Sequence, residues 1–177
     1  MNRRSILLAQ NRAVIPNGAV LHSASVGHPK QGAYLFLAPS GGGKSTIRLK
    51  LCRKVFGAIG DDSTVVCTGT DGVVRCLPCG SMKQATGVDD LAGAALRAIF
   101  FVEKGSPPLI FKINPAYAFY RAVSARSVMD GGELDQAERK ALNLFLNRLV
   151  LGFPSYIFRY GLDDDPEELL HSFLSNG

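Results

Sequence analysis

The chain has 177 residues, of which 46% are hydrophobic, 20 are lysine or arginine and 15 are aspartate or glutamate. That length suits a single domain spanning residues 1–177, and the hydrophobic share excludes a disordered chain. No apolar run approaches the roughly twenty residues of a spanning helix, and the amino terminus lacks the apolar stretch of a signal peptide. We therefore expect a cytoplasmic protein with no membrane partner.

The charges are divided unevenly along the chain. Residues 1–60 contain nine basic residues and no acidic residue, whereas residues 61–177 contain eleven basic and fifteen acidic residues. An acid-free basic segment suits a polyanionic partner. Because no basic run is interleaved with aromatic residues, as a strand-binding groove requires, we expect a phosphorylated small molecule and no nucleic acid.

Hydrophobic periodicity and turn residues predict the elements in chain order. Strands are expected at residues 19–26 and 33–37, a helix from 44 to about 55, a hairpin of strands at 63–67 and 73–77, and further strands at 96–102 and 109–113. Residues 57–60 are predicted as a connecting segment. Helices then begin after Asn114 and Asp135, a strand occupies 155–160, and Asp165 caps a final helix. This order predicts an α/β fold with a mixed β-sheet and flanking helices.

A glycine-rich motif lies between the second strand and the first predicted helix. Residues 38–45 (Ala-Pro-Ser-Gly-Gly-Gly-Lys-Ser) match the Walker A pattern, with alanine at its first glycine. Consecutive glycines turn backbone N–H groups inward to form a nest for anionic oxygens, and the helix adds its positive dipole end. A glycine-rich turn followed by an unrelated lysine is the alternative, but the flanking strand and helix favour a nucleotide site. We predict that ATP is bound by the following residues: Ser40, Gly41, Gly42, Gly43, Lys44, Ser45 and Thr46.

The first acidic residues of the chain form a pair, Asp61 and Asp62, and no long apolar strand precedes them. Neighbours on an extended chain point in opposite directions, so the two carboxylates can do different work. One can hold Mg²⁺ through water while the other accepts a proton from an attacking hydroxyl. The alternative is an Asp-Asp turn that caps the start of a strand.

Three segments together resemble the HPr kinase/phosphorylase family and, more distantly, the phosphoenolpyruvate carboxykinases. They are residues 21–24 (Leu-His-Ser-Ala), 35–46 around the glycines, and 59–62 (Ile-Gly-Asp-Asp). The resemblance implies a P-loop domain of that type with ATP and Mg²⁺ as cofactors. It implies that Ser45 and Asp61 bind the metal and Lys44 the phosphates. It also implies that Asp62 is the base and that His22 lies beside the transferred phosphoryl group. The glycine-containing second signature of the family has no convincing counterpart in residues 68–95, so HPr as substrate and phosphorylase activity stay open.

These observations predict an ATP- and Mg²⁺-dependent kinase that transfers the γ-phosphate to a hydroxyl. The acceptor is the serine of a protein or peptide, or a small molecule. The alternative is a regulatory module that binds ATP, or hydrolyses it slowly, without a phosphoryl acceptor. A decarboxylase-like use of the same residues is disfavoured because a carboxykinase needs a longer chain and further metal ligands. The identity of the acceptor and the oligomeric state, a homo-oligomer included, stay open.

Four further features of the sequence give weaker indications of function. Taken without the resemblance, His22 reads as a packed or solvent-facing strand residue. Cys76 and Cys79 form a C-x-x-C that we interpret as structural thiols, because a zinc site lacks its fourth ligand and a redox motif should open a helix. We expect Pro78 to block strand pairing there. The acidic run at 163–168 is interpreted as a solvated helix start. Candidates for additional phosphate charge are Lys112, Arg121 and Arg126.

Overall fold

The computed structural model describes residues 3–52, 55–79, 93–125 and 134–175. Within these ranges the helices are α1 (Arg3–Val14), α2 (Lys44–Leu51), α3 (Pro115–Ala125), α4 (Gln136–Gly152) and α5 (Pro166–Ser175). The strands are β1 (Gly18–Leu21), β2 (Ser23–His28), β3 (Gly32–Leu37), β4 (Gly57–Gly60), β5 (Thr64–Thr68), β6 (Val74–Pro78), β7 (Ala94–Lys104), β8 (Leu109–Lys112) and β9 (Ser155–Tyr160). None of the helices in these ranges has the length and apolar character that crossing a membrane requires.

The strands of the described ranges form one mixed sheet, which confirms the predicted α/β class. The order is β1-β5-β6-β7-β3-β2-β4, and β9 joins β7 with β8 beyond it. The pairs β3–β7 and β7–β9 are parallel, and all the others are antiparallel. Because β3, β7 and β9 run in the same direction, their carboxyl ends reach the same edge of the sheet.

Both faces of the central strands are buried, and alternate residues supply the two cores. On one face Leu35, Ile99 and Phe101 pack with buried residues of α3 and α4. On the other face Phe36 and Phe100 pack with buried residues of α2 and α5. Because both faces are covered, β3 has an uninterrupted hydrophobic run. Helix α2 lies on the face to which the even-numbered residues of β7 contribute.

Several predicted bounds need correction. The strand expected at 19–26 is two strands separated by His22, because β1 pairs with β5 whereas β2 pairs with β3 and β4. Helix α2 ends at Leu51 instead of near Val55, which is 48% exposed and does not extend the buried face of the helix.

Two elements were missed by the sequence patterns. Residues 57–60, expected to be a connecting segment, form strand β4, which pairs with β2 and leads directly into the acidic pair. Two glycines in four residues conceal its strand character. Helix α1 was not predicted; it is tied to β1 by Asn11, whose side-chain Oδ1 accepts a hydrogen bond of 2.8 Å from the backbone N–H of Val20.

Candidate functional site

A cleft lies at the edge of the sheet where β3, β7 and β9 end. The glycine-rich loop (residues 38–43) follows β3, and Lys104 and Tyr160 are the last residues of β7 and β9. Ligands of open α/β sheets bind at this carboxyl edge. The cleft has a volume of about 300 Å³ and is lined by His22, Ser40, Gly41, Gly43, Lys44, Ser45, Thr46, Asp62 and Lys104. Most of the site residues that the sequence analysis proposed therefore line this cleft. Of the other two, Gly42 lies within the loop and Asp61 contacts Ser45.

The glycine-rich loop has a backbone that requires its glycines. Gly41 and Gly43 have φ angles of 73° and 92°, in the left-handed region that side chains disfavour. Gly43 is also the N-cap residue of α2, and it offers no side chain to cap the first turn. The N–H groups of that turn therefore keep their capacity to bind an anion. Tyr160 holds the loop from the end of β9 by donating its hydroxyl to the Gly43 carbonyl at 3.0 Å.

Lys44 is buried against this loop, with 5% of its surface exposed. Its Nζ donates to the carbonyl oxygens of Ala38 and Pro39, at 2.8 and 2.9 Å, and to Nε2 of His22 at 2.9 Å. These contacts use all three hydrogens of the ammonium group. Burial lowers the pKa of Lys44 below its usual value, and the negative charges of Asp62 and Asp61 oppose that shift.

His22 connects Lys44 to the acidic pair from the break between β1 and β2. Its Nδ1 lies 2.9 Å from the backbone oxygen of Asp62 and 3.2 Å from Oδ1 of the same residue. Because Nε2 faces an ammonium group and has to accept, we assign the ring proton to Nδ1, which then donates to Asp62. Lys44, His22 and Asp62 thus form a continuous chain of hydrogen bonds.

Asp61 lies beside the start of α2. Ser45 donates its hydroxyl to Asp61 Oδ1 at 3.0 Å, and Nη2 of Arg48 lies 3.1 Å from Oδ2. The two residues expected to bind metal are therefore neighbours, and a hydroxyl with a carboxylate is a donor pair that suits Mg²⁺. No cluster of three or more histidine, cysteine or acidic side chains suited to a metal occurs among the described residues. Mg²⁺ commonly takes only one or two protein carboxylates and completes its shell with water and phosphate.

The acidic pair is a turn and not an extended segment, which corrects the sequence expectation. Asp62 has a φ of 66°, and Asp61 forms an isolated antiparallel bridge with Ser63. The two carboxylates still diverge, but they do so because Asp62 adopts the left-handed conformation that aspartate tolerates better than most residues. Strained backbone of this kind concentrates at functional sites.

Two of the three residues proposed to supply additional phosphate charge, Lys112 and Arg121, are not at the cleft. Lys112 pairs in register with Tyr156, at the opposite end of β9 from Tyr160. Arg121 donates to Glu103 at 2.7 Å and lies over the ring of Phe101. Arg126 lies outside the described residues.

Sequence reasoning missed Arg48 and Lys104. The helical spacing of Arg48 from Lys44 was a usable signal for the first. Lys104 carried no local signal, because the importance of its position depends on β7 lying parallel to β3.

The acid-free segment explains the site only in part. Lys44 and Arg48 reach the cleft or its rim. Lys50 instead donates to the carbonyl oxygens of Leu162 and Asp164, at 2.8 Å each, and Arg12 pairs with Glu138. Those contacts tie α2 to the segment before α5, and α1 to α4, and so serve the fold.

The C-x-x-C segment contains buried thiols. Burial raises the pKa of Cys76 to about 12, and Cys79 donates to the side chain of Gln10 at 2.8 Å. Pro78 does not block pairing as expected, since it is in register with Thr64 at the end of β6. All four cysteines are free. Burial therefore favours a protonated thiol at Cys76, as the structural interpretation predicts.

The acidic run at 163–168 forms the start of α5. Oδ1 of Asp165 accepts a hydrogen bond of 2.9 Å from the backbone N–H of Glu167. Asp164 accepts from the N–H of Gly161 at 2.6 Å. The predicted helix cap is thereby confirmed.

The comparisons with known proteins do not identify the function of this chain. No family model matches the chain, and a search of curated proteins finds no match. Among solved structures, the chain is similar to the Hpr(Ser) kinase/phosphatase from Coxiella burnetii, with 12% sequence identity and a TM-score of 0.47. The match covers 89% of this chain and 88% of that one. A likeness this distant does not identify a function, which has to be argued from the side chains of the cleft.

Proposed function

We propose that the chain binds ATP with Mg²⁺ at the glycine-rich loop and transfers the γ-phosphoryl group to a hydroxyl. One observation carries the proposal. The hydrogen-bonded chain of Lys44, His22 and Asp62 lies in the same cleft as the uncapped amino terminus of α2. A phosphate-binding group and a candidate base therefore face one space.

The cleft suits the phosphate chain of a nucleotide. Its volume of about 300 Å³ is at the low end of ligand pockets, so it suits a polyphosphate and leaves the base and ribose outside. The glycines permit close approach of phosphate oxygens, and the first turn of α2 offers N–H donors and a positive dipole end. Lys44 would exchange at least one of its loop carbonyl contacts for a phosphate oxygen.

Ser45 and Asp61 would hold Mg²⁺, because their oxygens are adjacent and face the start of α2. When bound, Mg²⁺ neutralises charge on the phosphates and orients them for displacement. Arg48 forms an ion pair with the carboxylate of Asp61 and so compensates its negative charge in the absence of nucleotide.

Asp62 is the residue that we propose accepts the proton of the attacking hydroxyl. Its side chain is 43% exposed, so an acceptor can reach it, while His22 holds its carboxylate on the side of Lys44. His22 is a positioning residue in this scheme, since it contacts both charged groups. The same exposure admits water, which makes slow ATP hydrolysis without another acceptor the second candidate.

The test uses ATP labelled at the γ-phosphate, with Mg²⁺ and fractionated cell extract as a source of acceptors. Asp62→Asn keeps the size of the side chain but removes the base, so transfer is expected to fall by about a hundredfold or more while ATP binding persists. Asp163→Asn is the matched control, because Asp163 is exposed in the segment before α5. Lys44→Met should weaken ATP binding itself.

Each outcome of this experiment has a defined meaning. Transfer by Asp62→Asn at the wild-type rate would show that Asp62 is not the base. ATP consumption without a labelled acceptor in any fraction would favour the hydrolytic alternative. Absence of ATP binding by the wild-type protein would reject the proposal as a whole.

A further inference from the structure

Lys104 is the cleft residue without an assigned role. It is the last residue of β7, and its backbone is held in the ladder with β9, in register with Tyr160. The following residue, Gly105, extends this ladder by donating its N–H to the Tyr160 carbonyl at 3.1 Å. The backbone at Lys104 is therefore fixed at the edge of the sheet, while its side chain is exposed.

The alternation of β7 directs this side chain toward the glycine-rich loop. Ala98, Phe100 and Val102 belong to the core that α2 covers, and Lys104 continues the same face. Accordingly, Cε of Lys104 lies 3.7 Å from the position that a Cβ on Gly43 would occupy. The ammonium group of Lys104 is thus carried to the amino terminus of α2.

The neighbouring acid does not neutralise Lys104. Glu103 points to the opposite face of β7, where it accepts from Arg121 at 2.7 Å and from Arg159 at 3.4 Å. Within the described part of the chain, Lys104 makes no hydrogen bond or ion pair. An exposed cation that lines a phosphate-sized cleft is suited to an anionic ligand.

We propose that Lys104 is a second phosphate-binding cation, which contacts the polyphosphate of the nucleotide beside Gly43 while Lys44 contacts it from within the loop. The inference rests on the proposed nucleotide site and adds a residue to it. It also replaces Lys112 and Arg121 as the source of additional phosphate charge. Since the side chain of Lys104 is exposed and makes no hydrogen bond to another described residue, it can contact the phosphates without rearranging the loop.

The test compares Lys104→Met with Lys112→Met by titration calorimetry against ATP, ADP and AMP. Lys112 is the matched control, because it is also exposed at the end of a strand but lies toward the opposite end of β9. Lys104→Met is expected to weaken ATP and ADP about tenfold, which corresponds to one charge-assisted contact of about 1.4 kcal/mol. AMP should change by less than about threefold, and Lys112→Met by less than about twofold for each ligand, since a distant exposed charge is screened by salt.

Lys104→Arg keeps the charge and is expected to retain affinity within about threefold of the wild type. Thermal unfolding of each variant verifies that the fold is intact. Wild-type affinity in Lys104→Met, or an equal loss in both methionine variants, would overturn the role of Lys104 and leave the nucleotide site standing. A wild-type protein that binds none of the nucleotides would overturn both the site and this role.

Discussion

Gly43 offers a sharp test of the loop geometry, because alanine at this position meets two separate obstacles. Its φ of 92° lies in the left-handed region, and a Cβ would approach the hydroxyl oxygen of Tyr160 to 2.9 Å. That hydroxyl donates to the carbonyl of Gly43. Gly43→Ala therefore strains the backbone and displaces the tyrosine that joins the loop to β9.

The magnitude follows from these two contributions. Holding an L-residue in the left-handed region costs about 1–2 kcal/mol, and losing the tyrosine hydrogen bond costs about 1 kcal/mol more. Gly72 supplies the matched control, since it has a φ of 77° and an added Cβ would have no neighbour within 4 Å. Gly72→Ala should therefore lower the free energy of unfolding by about 1–2 kcal/mol, and Gly43→Ala by about 2–3 kcal/mol.

Gly41 separates the effect of strain in the loop from the effect of the clash. Its φ is 73°, and an added Cβ would have no neighbour within 4 Å. Gly41→Ala and Gly72→Ala should therefore lower the free energy of unfolding by similar amounts. Gly41→Ala should also weaken nucleotide binding, because Gly41 belongs to the glycine-rich loop. Gly72→Ala should leave nucleotide binding unchanged.

The assays are denaturant unfolding, thermal unfolding and ATP titration on the four proteins. A difference of about 1 kcal/mol corresponds to about 2–4 °C in Tm for a chain of this size. Equal destabilisation by Gly43→Ala and Gly72→Ala would refute the reasoning, because it would mean that Tyr160 moves aside at no cost. Unchanged ATP affinity in Gly43→Ala would refute the role of the loop.

Two further predictions concern Arg48 and Cys76. Arg48 holds Asp61 at 3.1 Å, and its Nε is buried without a hydrogen-bond partner among the described residues. Arg48→Met should therefore change stability by less than about 1 kcal/mol and strengthen Mn²⁺ binding in the absence of nucleotide, measured by electron paramagnetic resonance. Weaker Mn²⁺ binding would show instead that Arg48 positions Asp61 for the metal. Burial raises the pKa of Cys76 from about 9 to about 12, so above pH 9 the unfolded chain loses this proton while the folded chain keeps it. The free energy of unfolding should therefore fall as pH rises from 9 toward 12, by up to about 1.4 kcal/mol per pH unit from this thiol. Cys76→Ala should show a shallower decline in urea unfolding across pH 9–11, and an unchanged slope would contradict the assignment.

Local sequence rules predicted the elements that depend on neighbouring residues. The bounds of β9 agree with the prediction, and α4 begins with the capping box in which Asp135 and Glu138 bond reciprocally. Rules of this kind failed where tertiary pairing overrides the pattern. His22 interrupts a continuous strand pattern because β1 and β2 pair with different partners, and β4 is stabilised as a strand by β2 despite its glycines.

The residues of the candidate site could be proposed from the sequence, but the hydrogen bonds that connect them could not. The motif at residues 38–45 predicted Lys44 and Ser45, and the acidic pair supplied Asp61 and Asp62. No pattern could show that His22 bridges Lys44 and Asp62, since these residues are brought together by strand pairing across 22 and 40 positions. The same reason explains why Lys104 was missed and Lys112 was proposed. The exposed lysines at the ends of β7 and β8 look alike in sequence, and the direction of each strand relative to β3 decides which of them lies at the cleft.

The sequence by itself therefore determined the α/β character, the glycine-rich loop, the helix starts and the residue types of the site, because periodicity, capping and glycine conformation act within a few residues. Only the tertiary structure decided which charges surround the cleft. Strand order and direction place the ends of β3, β7 and β9 at one edge, and the left-handed turn at Asp62 directs its carboxylate to His22. These arrangements depend on contacts between distant segments, which a local pattern does not record.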